Sequence, residues 1–331
     1  MNMLVAGEWR PDAYRATNDE GEFERQETAF RNWIRDDPEA TFRPESGRYH
    51  LYQSRACPWA HRTVVVRRLL GLEDVISMDT VDPYRDEEGW QFTPEKDDCT
   101  ADTVNGSDYL REVYTAADDS FTGRVTVPVL WDRERETIVN NESEEIVKMF
   151  ADAFGEFATD GVDLYPDGRR DEVDEVIDAI YDPINDGVYR AGFADAQSAH
   201  ESAVAELFDA LDHWDDVLAE QRFLVGEELT LADVCLFTTL VRFDEVYHTH
   251  FKCNVRRVTD YPNLWGHTRE LYQLPGVAET VNVDHIKEHY YTTHTDLNPK
   301  RLVPTGPAPD FEAPHDRDEL PGGPPAELTR R

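Results

Sequence analysis

The chain has 331 residues, with 33 Lys+Arg against 69 Asp+Glu and a formal net charge of −36. Such a chain lacks the basic surface that nucleic acid or an anionic bilayer requires, and no apolar run approaches the ~18–20 residues needed to span a membrane. A content of 40% apolar and 11% aromatic residues nevertheless supports a packed core, so the chain is not a disordered acidic polymer, and its length suits two domains.

Residues 1–45 are polar with scattered aromatics (Trp9, Tyr14, Phe23, Phe30, Trp33, Phe42) and read as an extension draped over the body. They open with no basic segment followed by an apolar stretch, so no secretory leader is expected and a cytoplasmic location is the default. Residues 48–52 alternate and are β-prone, predicting a strand. Cys57-Pro58 then opens a helix to Leu70, with Pro in the first helical position and Gly71 just past the end. Residues 75–78 predict a second, parallel strand. A long loop over 79–106 contains Trp90, and a helix is expected over 107–118. Residues 125–131 predict a strand, paired as a hairpin with 137–139, and 143–150 a short helix. This β-α-β-α-β-β-α order is the thioredoxin-like arrangement. Pro128 interrupts an apolar run, and because proline cannot donate to a ladder it belongs at a strand start, edge or bulge. In this fold that is where a cis-proline presents backbone to a peptide-like ligand.

From about residue 170 the apolar period becomes helical. One stripe is Val173, Val176, Ile177 and Ile180; another is Val204, Leu207, Phe208, Leu211 and Val217-Leu218. Residues 229–237 are almost wholly apolar and predict a buried helix, with Thr230 and Asp233 in a capping-box relation. Residues 263–291 predict one or two further helices. The stretch 303–331, rich in Pro, Gly and acid, is expected to be extended or disordered.

The sharpest local signal is Cys57-Pro58-Trp59-Ala60-His61-Arg62. A cysteine at a helix N-cap faces unpaired N–H groups and the positive end of the macrodipole, which favours the nucleophilic thiolate. Ala60 holds the slot that a dithiol enzyme gives its second cysteine, so an external thiol must resolve Cys57. The other cysteines, Cys99, Cys235 and Cys253, are widely spaced and form no CxxC pair, and no disulfide framework is expected. His248, His250 and Cys253 have metal-like spacing without a fourth ligand, and no metal is expected.

These motifs together resemble the Xi-class glutathione transferases, the glutathionyl-hydroquinone reductases. The resemblance runs from about Tyr49 to Pro307. Beyond the Cys57 motif it includes Gly89-Trp90, Arg124-Val-Thr-Val-Pro-Val-Leu-Trp131, Asn141-Glu-Ser143, Gly187-Val-Tyr189, His250-Phe-Lys-Cys-Asn254, His289-Tyr-Tyr291 and Asn298-Pro299. It implies an α/β thioredoxin-like domain over 46–155 and an all-α domain over 156–300, flanked by the extension 1–45 and the tail 301–331. It implies a thiol oxidoreductase that removes a low-molecular-weight thiol from hydroquinone conjugates through a Cys57 mixed disulfide. Trp90, Arg124, Val127, Pro128, Glu142 and Ser143 are the implied thiol-binding residues, with Glu142 and Ser143 gripping the γ-glutamyl end. Tyr189, Tyr290 and Tyr291 are the implied quinone-site phenols, and of two consecutive helical residues only one faces the site well. Trp59 and His61 shape the pocket beside the nucleophile. The family also implies a homodimer. A glutaredoxin-like monothiol disulfide reductase and a non-catalytic ligand-binding homologue are the alternatives.

Only five positive charges are Lys; Asp, at 37, outnumbers Glu, at 32, and the acids are spread along the whole chain. This is the composition of a salt-adapted protein, whose carboxylate surface stays hydrated where molar salt screens its self-repulsion. Halophilic archaea use γ-glutamylcysteine in place of glutathione, so either thiol is a candidate co-substrate.

Overall fold

A computed structural model describes residues 1–329. Arg330 and Arg331, the end of the expected tail, lie outside the described residues. The chain divides into two compact units built from non-contiguous segments. The first comprises Met1–Ala16, Arg25–Ala158 and Asp284–His294; the second comprises Thr17–Glu24, Thr159–Val283 and the chain from Thr295 onward.

In the first unit, β1 (Met3–Val5) and β2 (Glu8–Arg10) form an antiparallel hairpin. The main sheet contains β3 (Tyr49–Gln53), β4 (Ser77–Thr80), β5 (Val129–Asp132) and β6 (Thr137–Asn140), in the order β4-β3-β5-β6. The central strand β3, buried along its whole length, is parallel to β4 and antiparallel to β5. Its connection to β4 is α1 (Pro58–Leu69), which packs on α3 (Ser143–Asp152). α2 (Leu110–Ala117) starts later than expected, because the Glu112 carboxylate accepts from the backbone N–H groups of Asp108 and Tyr109 and sets the first turn there. The unit therefore has the mixed-sheet, thioredoxin-like architecture.

Two strand boundaries differ from expectation for identifiable reasons. Ile76 N–H donates to Leu72 O at 2.9 Å, so the chain is still turning out of the helix and β4 starts at Ser77. β5 starts at Val129 because Pro128 has no N–H for the ladder; the Val127–Pro128 peptide bond is cis. Val125 and Val127 are buried without being strand residues, and they pack with Tyr52, Ala60, Trp90, Leu110 and Trp131 in one apolar cluster.

The 79–106 loop is held by carboxylates. Asp102 accepts from the backbone N–H groups of Val104, Asn105 and Ser107 and from the Tyr52 hydroxyl. Asp79 accepts from Thr103 and pairs with His50 Nε2 at 3.0 Å. A helix late in the chain ties down the same loop.

The second unit is all-helical. It contains α4 (Arg170–Ile180), α5 (Gly187–Gly192), α6 (Gln197–Glu220), α7 (Leu231–Arg242) and α8 (Pro262–Tyr272). All twelve residues of α7 are buried, and Thr230 and Asp233 form its capping box. The Asp233 carboxylate also accepts from Leu224 N–H and His267 Nε2, so one buried acid joins a loop and two helices. Val173, Ile177 and Ile180 face the core as the stripe predicts.

The tail differs from the expectation of an extended or disordered segment. Phe311 is buried against the rings of Trp265 and Tyr272, at 5.3 and 5.0 Å. Arg317, 2% exposed, donates to the carbonyls of Leu218, Gln221 and Arg222 at the C-terminal end of α6. A helix leaves its last carbonyls unpaired, and this guanidinium satisfies them. A Pro-rich composition conceals two anchors that only tertiary contacts reveal.

α9 (Val283–Thr293) belongs to the first unit from Asp284 onward. His285 Nε2 donates to Asp97 O at 3.0 Å, and His289 Nδ1 to Pro83 O at 2.7 Å. Lys96 pairs with Glu288 and Asp82, and Arg85 N–H donates to Thr293 Oγ1. A short helix, α10 (Ala326–Thr329), ends the described chain.

Candidate functional site

Cys57 is the N-cap of α1, with extended backbone (φ −78°, ψ 123°) and Pro58 at N1. Its carbonyl accepts from His61 N–H at 2.9 Å, and its N–H donates to Ser54 O at 3.2 Å. These bonds fix the cap, and the side chain is only half-buried. The sulfur donates to Val127 O at 3.7 Å, which places it beside the cis peptide of Val127–Pro128. Ala60, one turn along the helix, is fully buried in the apolar cluster, and all four cysteines are free thiols. Cys99, Cys235 and Cys253 are buried. Burial pushes the Cys99 thiol up to about 11, and it raises Cys253 as well. Cys57 is thus the accessible sulfur, placed where unpaired helical amides and the dipole favour the thiolate.

Glu142 and Ser143 stand at the other helix start of the same face, as N-cap and first residue of α3. Among the described residues the Glu142 carboxylate makes only long contacts, 3.4 Å each, with Thr28 Oγ1, Ser143 Oγ and Glu144 N–H. Its carboxylate can accept from an ammonium. Ser143 is buried, and its hydroxyl accepts from Arg62 at 3.5 Å. An oxygen-bearing ligand at this helix N-terminus meets unpaired N–H groups and positive potential.

Gly89 adopts φ +96°, a left-handed value that favours glycine, and makes the tight turn before Trp90. Trp90 is 5% exposed, and the imidazole of His289 on α9 stacks on it at 5.0 Å and 15°. The Arg85 guanidinium lies 5.6 Å from the same ring. Arg124 is half-buried, with its guanidinium 5.3 Å from the Tyr14 ring and its N–H donating to Gln26 Oε1. Burial first, then the charges of Arg85 and Arg25, lower its pKa to about 10.

Of the phenols, Tyr290 and Tyr291 lie in the first unit with Cys57, and both are buried, at 1% and 5% exposure. The Tyr290 ring meets His289 and His294 edge-on at 5.2 and 5.6 Å. Tyr189 belongs to the second unit, half-buried among Phe23, Phe193, Tyr247 and Phe251. Gly192 makes that aromatic cluster possible, since a Cβ there would stand 2.2 Å from Phe251 Cγ.

Sequence reasoning placed Trp59 and His61 beside Cys57 but overlooked the guanidiniums over the Trp59 ring. His61 is 1% exposed. Arg62 and Arg25 lie over the Trp59 ring, at 4.5 and 4.7 Å. Arg62 was visible inside the Cys57 motif; Arg25, 32 positions before Cys57, carried no local signal. Among the described residues, no group of three His, Cys, Asp or Glu is placed to hold a metal ion, and His248, His250 and Cys253 are not such a group. No helix among the described residues is long and apolar enough to cross a membrane.

Two family models match the chain: the glutathione S-transferase N-terminal domain over residues 56–153, and the glutathione S-transferase C-terminal domain over 169–270. The glutathionyl-hydroquinone reductase YqjG of Escherichia coli (strain K12) is 47% identical over 324 residues, covering 96% of this chain and 99% of its own. A solved Xi-class glutathione transferase from Natrialba magadii superposes with a TM-score of 0.93 at 64% identity, covering 98% of each chain. The glutathione-bound structure of YqjG gives a TM-score of 0.87 at 46% identity, covering 96% of this chain and 99% of that one.

Proposed function

Because the chain belongs to the Xi class of glutathione transferases, the family of the glutathionyl-hydroquinone reductases, we propose that it reductively removes a low-molecular-weight thiol from hydroquinone conjugates. The observation that carries this reading is the single cysteine cap: Cys57 begins α1, Ala60 occupies the second-thiol position, and the sulfur faces Val127 O at the cis-proline.

In the first step the Cys57 thiolate attacks the sulfur of the thioether. A disulfide forms between Cys57 and the thiol, the sulfur–aryl carbon bond breaks, and the aryl carbon takes a proton to become the free hydroquinone. In the second step another thiol molecule attacks the mixed disulfide, releasing the oxidised thiol and regenerating Cys57. The conjugate is reduced and two thiols are oxidised to one disulfide. Glutathione or γ-glutamylcysteine serves as co-substrate. Glu142 takes its ammonium, Ser143 and the start of α3 take its γ-glutamyl carboxylate, and the Val127 backbone before Pro128 takes its cysteinyl unit. Trp90 and Arg124 complete the thiol site. Tyr290, Tyr291 and Tyr189 hydrogen-bond the hydroquinone oxygens, with Tyr189 assigned on the family resemblance.

We also read the chain as a cytoplasmic homodimer from a salt-adapted source, with linear domains over 46–155 and 156–300. The net charge of −36 and the likeness to the Natrialba magadii protein support the salt adaptation. The deciding experiment is turnover of a glutathionyl-hydroquinone with either thiol, followed by mass spectrometry of the protein. Free hydroquinone and a thiol adduct on Cys57 are expected, and Cys57→Ser abolishes both. Rapid turnover of small mixed disulfides with inert quinone conjugates would instead identify a glutaredoxin-like reductase.

A further inference from the structure

Away from Cys57, the first unit brings a serine, a histidine and an aspartate together at the edge of the main sheet. His50 on β3 and Ser77 on β4 are register partners in the parallel ladder, as are Tyr52 and Asp79. Side chains two positions apart on a strand share a face and stand about 6.6 Å from each other. Ser77 and Asp79 therefore flank the His50 ring, and each meets one of its nitrogens. Nδ1 lies 2.8 Å from Ser77 Oγ, and Nε2 lies 3.0 Å from Asp79 Oδ2. Arg133, from the turn after β5, donates to Ser77 Oγ at 2.7 Å and lies 3.3 Å from Nδ1.

The proton positions follow from these partners. A guanidinium can only donate, so the Nδ1 that faces Arg133 carries the lone pair. The ring proton is then on Nε2, toward Asp79. The carboxylate lies off that N–H axis, a looseness that catalytic hydrogen bonds show before substrate draws them in. Burial pushes the Asp79 carboxyl up, but its contacts with His50 and Thr103 hold it below its ordinary value, so it is an anion at neutral pH. His50 is 0% exposed and Asp79 2%, whereas Ser77 is half-buried and Arg133 exposed. Because β4 is an edge strand, the hydroxyl and the guanidinium stand at the surface, with the base and the acid shielded behind them. A cross-strand tether needs only the Ser77–His50 bond. A buried acid behind the ring and a cation beside the hydroxyl are the further parts of an activated nucleophile.

We propose that Ser77 is the nucleophile of a second catalytic site, which takes acyl groups from small carboxylic esters, with His50 as its base, Asp79 as the positioning residue behind His50 and Arg133 as the cation that receives the oxyanion. The site does not depend on thiol chemistry. His50 is the second residue of β3, and Cys57 lies beyond the last, toward the other end of the strand. Ser77 Oγ attacks the ester carbonyl carbon, and its proton passes to His50 Nδ1. The carbonyl oxygen takes the negative charge beside Arg133. The bond from carbon to the alcohol oxygen breaks, and the alcohol leaves with the proton from Nδ1. Water then attacks the acyl-serine. Nδ1 takes a proton from that water and returns it to Ser77 Oγ as the carboxylic acid leaves. Ester and water give acid and alcohol, and nothing is oxidised or reduced.

The test uses the full-length Cys57→Ser chain, in which this thiol cannot take the acyl group, in a salt concentration that keeps it folded. Diisopropyl fluorophosphate is the probe. A bond from phosphorus to an activated serine oxygen forms as the phosphorus–fluorine bond breaks. Peptide mapping by mass spectrometry is expected to find the phosphoryl group on Ser77 and on no other serine. The same chain is expected to hydrolyse 4-nitrophenyl acetate and to lose that activity once Ser77 is labelled. His50→Gln slows labelling and ester hydrolysis by at least about 100-fold, the share of a general base. Arg133→Gln slows hydrolysis by at least about tenfold, less than the loss of a buried oxyanion donor because Arg133 is exposed. Circular dichroism and the urea midpoint report whether each variant is folded. The labelling arm leaves all four side chains unaltered, so it does not depend on any variant's folding. No label on Ser77, or label spread over several serines, overturns the proposal. So does ester hydrolysis that survives full labelling of Ser77, or a folded His50→Gln chain that labels at an unchanged rate.

Discussion

Alkylation by iodoacetamide at pH 7.5 is expected to modify Cys57 and spare the other three cysteines. Burial sets the Cys99 thiol at about 11, so its thiolate fraction at that pH is about 3 × 10⁻⁴. A helix-cap thiol titrating at or below ~7.5 is at least half ionised, a ratio of roughly 1,600. Part of that advantage is lost, because a more basic thiolate is the better nucleophile. A Brønsted slope near 0.45 over about 3.5 units returns a factor of ~40 to Cys99, leaving Cys57 about 40-fold faster from ionisation alone. Burial of Cys99, Cys235 and Cys253 widens the gap further. Peptide mapping by mass spectrometry at timed intervals reads all four sites, and repeating the reaction from pH 5 to 10 gives the Cys57 midpoint. A midpoint at or above the ~8.5 of free cysteine, or labelling of Cys99 at a comparable rate, refutes the argument that the start of α1 activates this sulfur.

Removing salt is expected to loosen the fold. Far-UV circular dichroism and the urea midpoint fall between molar and millimolar salt as repulsion among the excess carboxylates is unscreened. Arg317→Met, which strips one buried and two part-buried carbonyls at the end of α6 of their donor, should cost about 2–4 kcal/mol in urea unfolding, whereas Lys300→Met, at an exposed position, should cost almost nothing. Gly192→Ala should cost about 1–3 kcal/mol, because the new Cβ overlaps the Phe251 ring; Phe251→Leu in the same chain should recover part of the loss. Burial alone pushes the Asp102 carboxyl up, but N–H donors from Asn105, Ser107 and Val104 and the Tyr52 hydroxyl hold it below its ordinary value. Its stabilisation is therefore complete above the unfolded value near ~3.9 and is lost as pH falls through the lower folded value. The urea midpoint should drop below about pH 4, and Asp102→Asn should flatten that drop.

The main elements were legible because their signals are local. Cys57-Pro58 and Gly71 punctuate α1, alternation marks β3, the Thr230–Asp233 spacing marks the start of α7, and period-3.6 stripes mark the helices around it. The cap position of Cys57 and the helix start at Ser143 follow from the same punctuation, since an N-cap is specified within about four residues of chain. Strand ends were less legible. Pro128 announced an interruption, but whether it stood inside or before β5 depended on the ladder with β3.

Other features depend on residues far apart in sequence, and no short-range pattern encodes them. Arg25 over Trp59, His289 stacked on Trp90, and Arg317 on the last carbonyls of α6 join positions 34 to 199 residues apart. An aromatic face or an unpaired carbonyl offers the same chemistry to any guanidinium or imidazole the chain brings near it. The sequence by itself determined that Cys57 caps a helix and which folding units surround it, because helix caps and apolar periods are properties of neighbouring residues. Only the tertiary structure decided that Arg25 reaches the Trp59 ring two residues after that cap, because electrostatic neighbours are set by distance in space, which chain order does not measure.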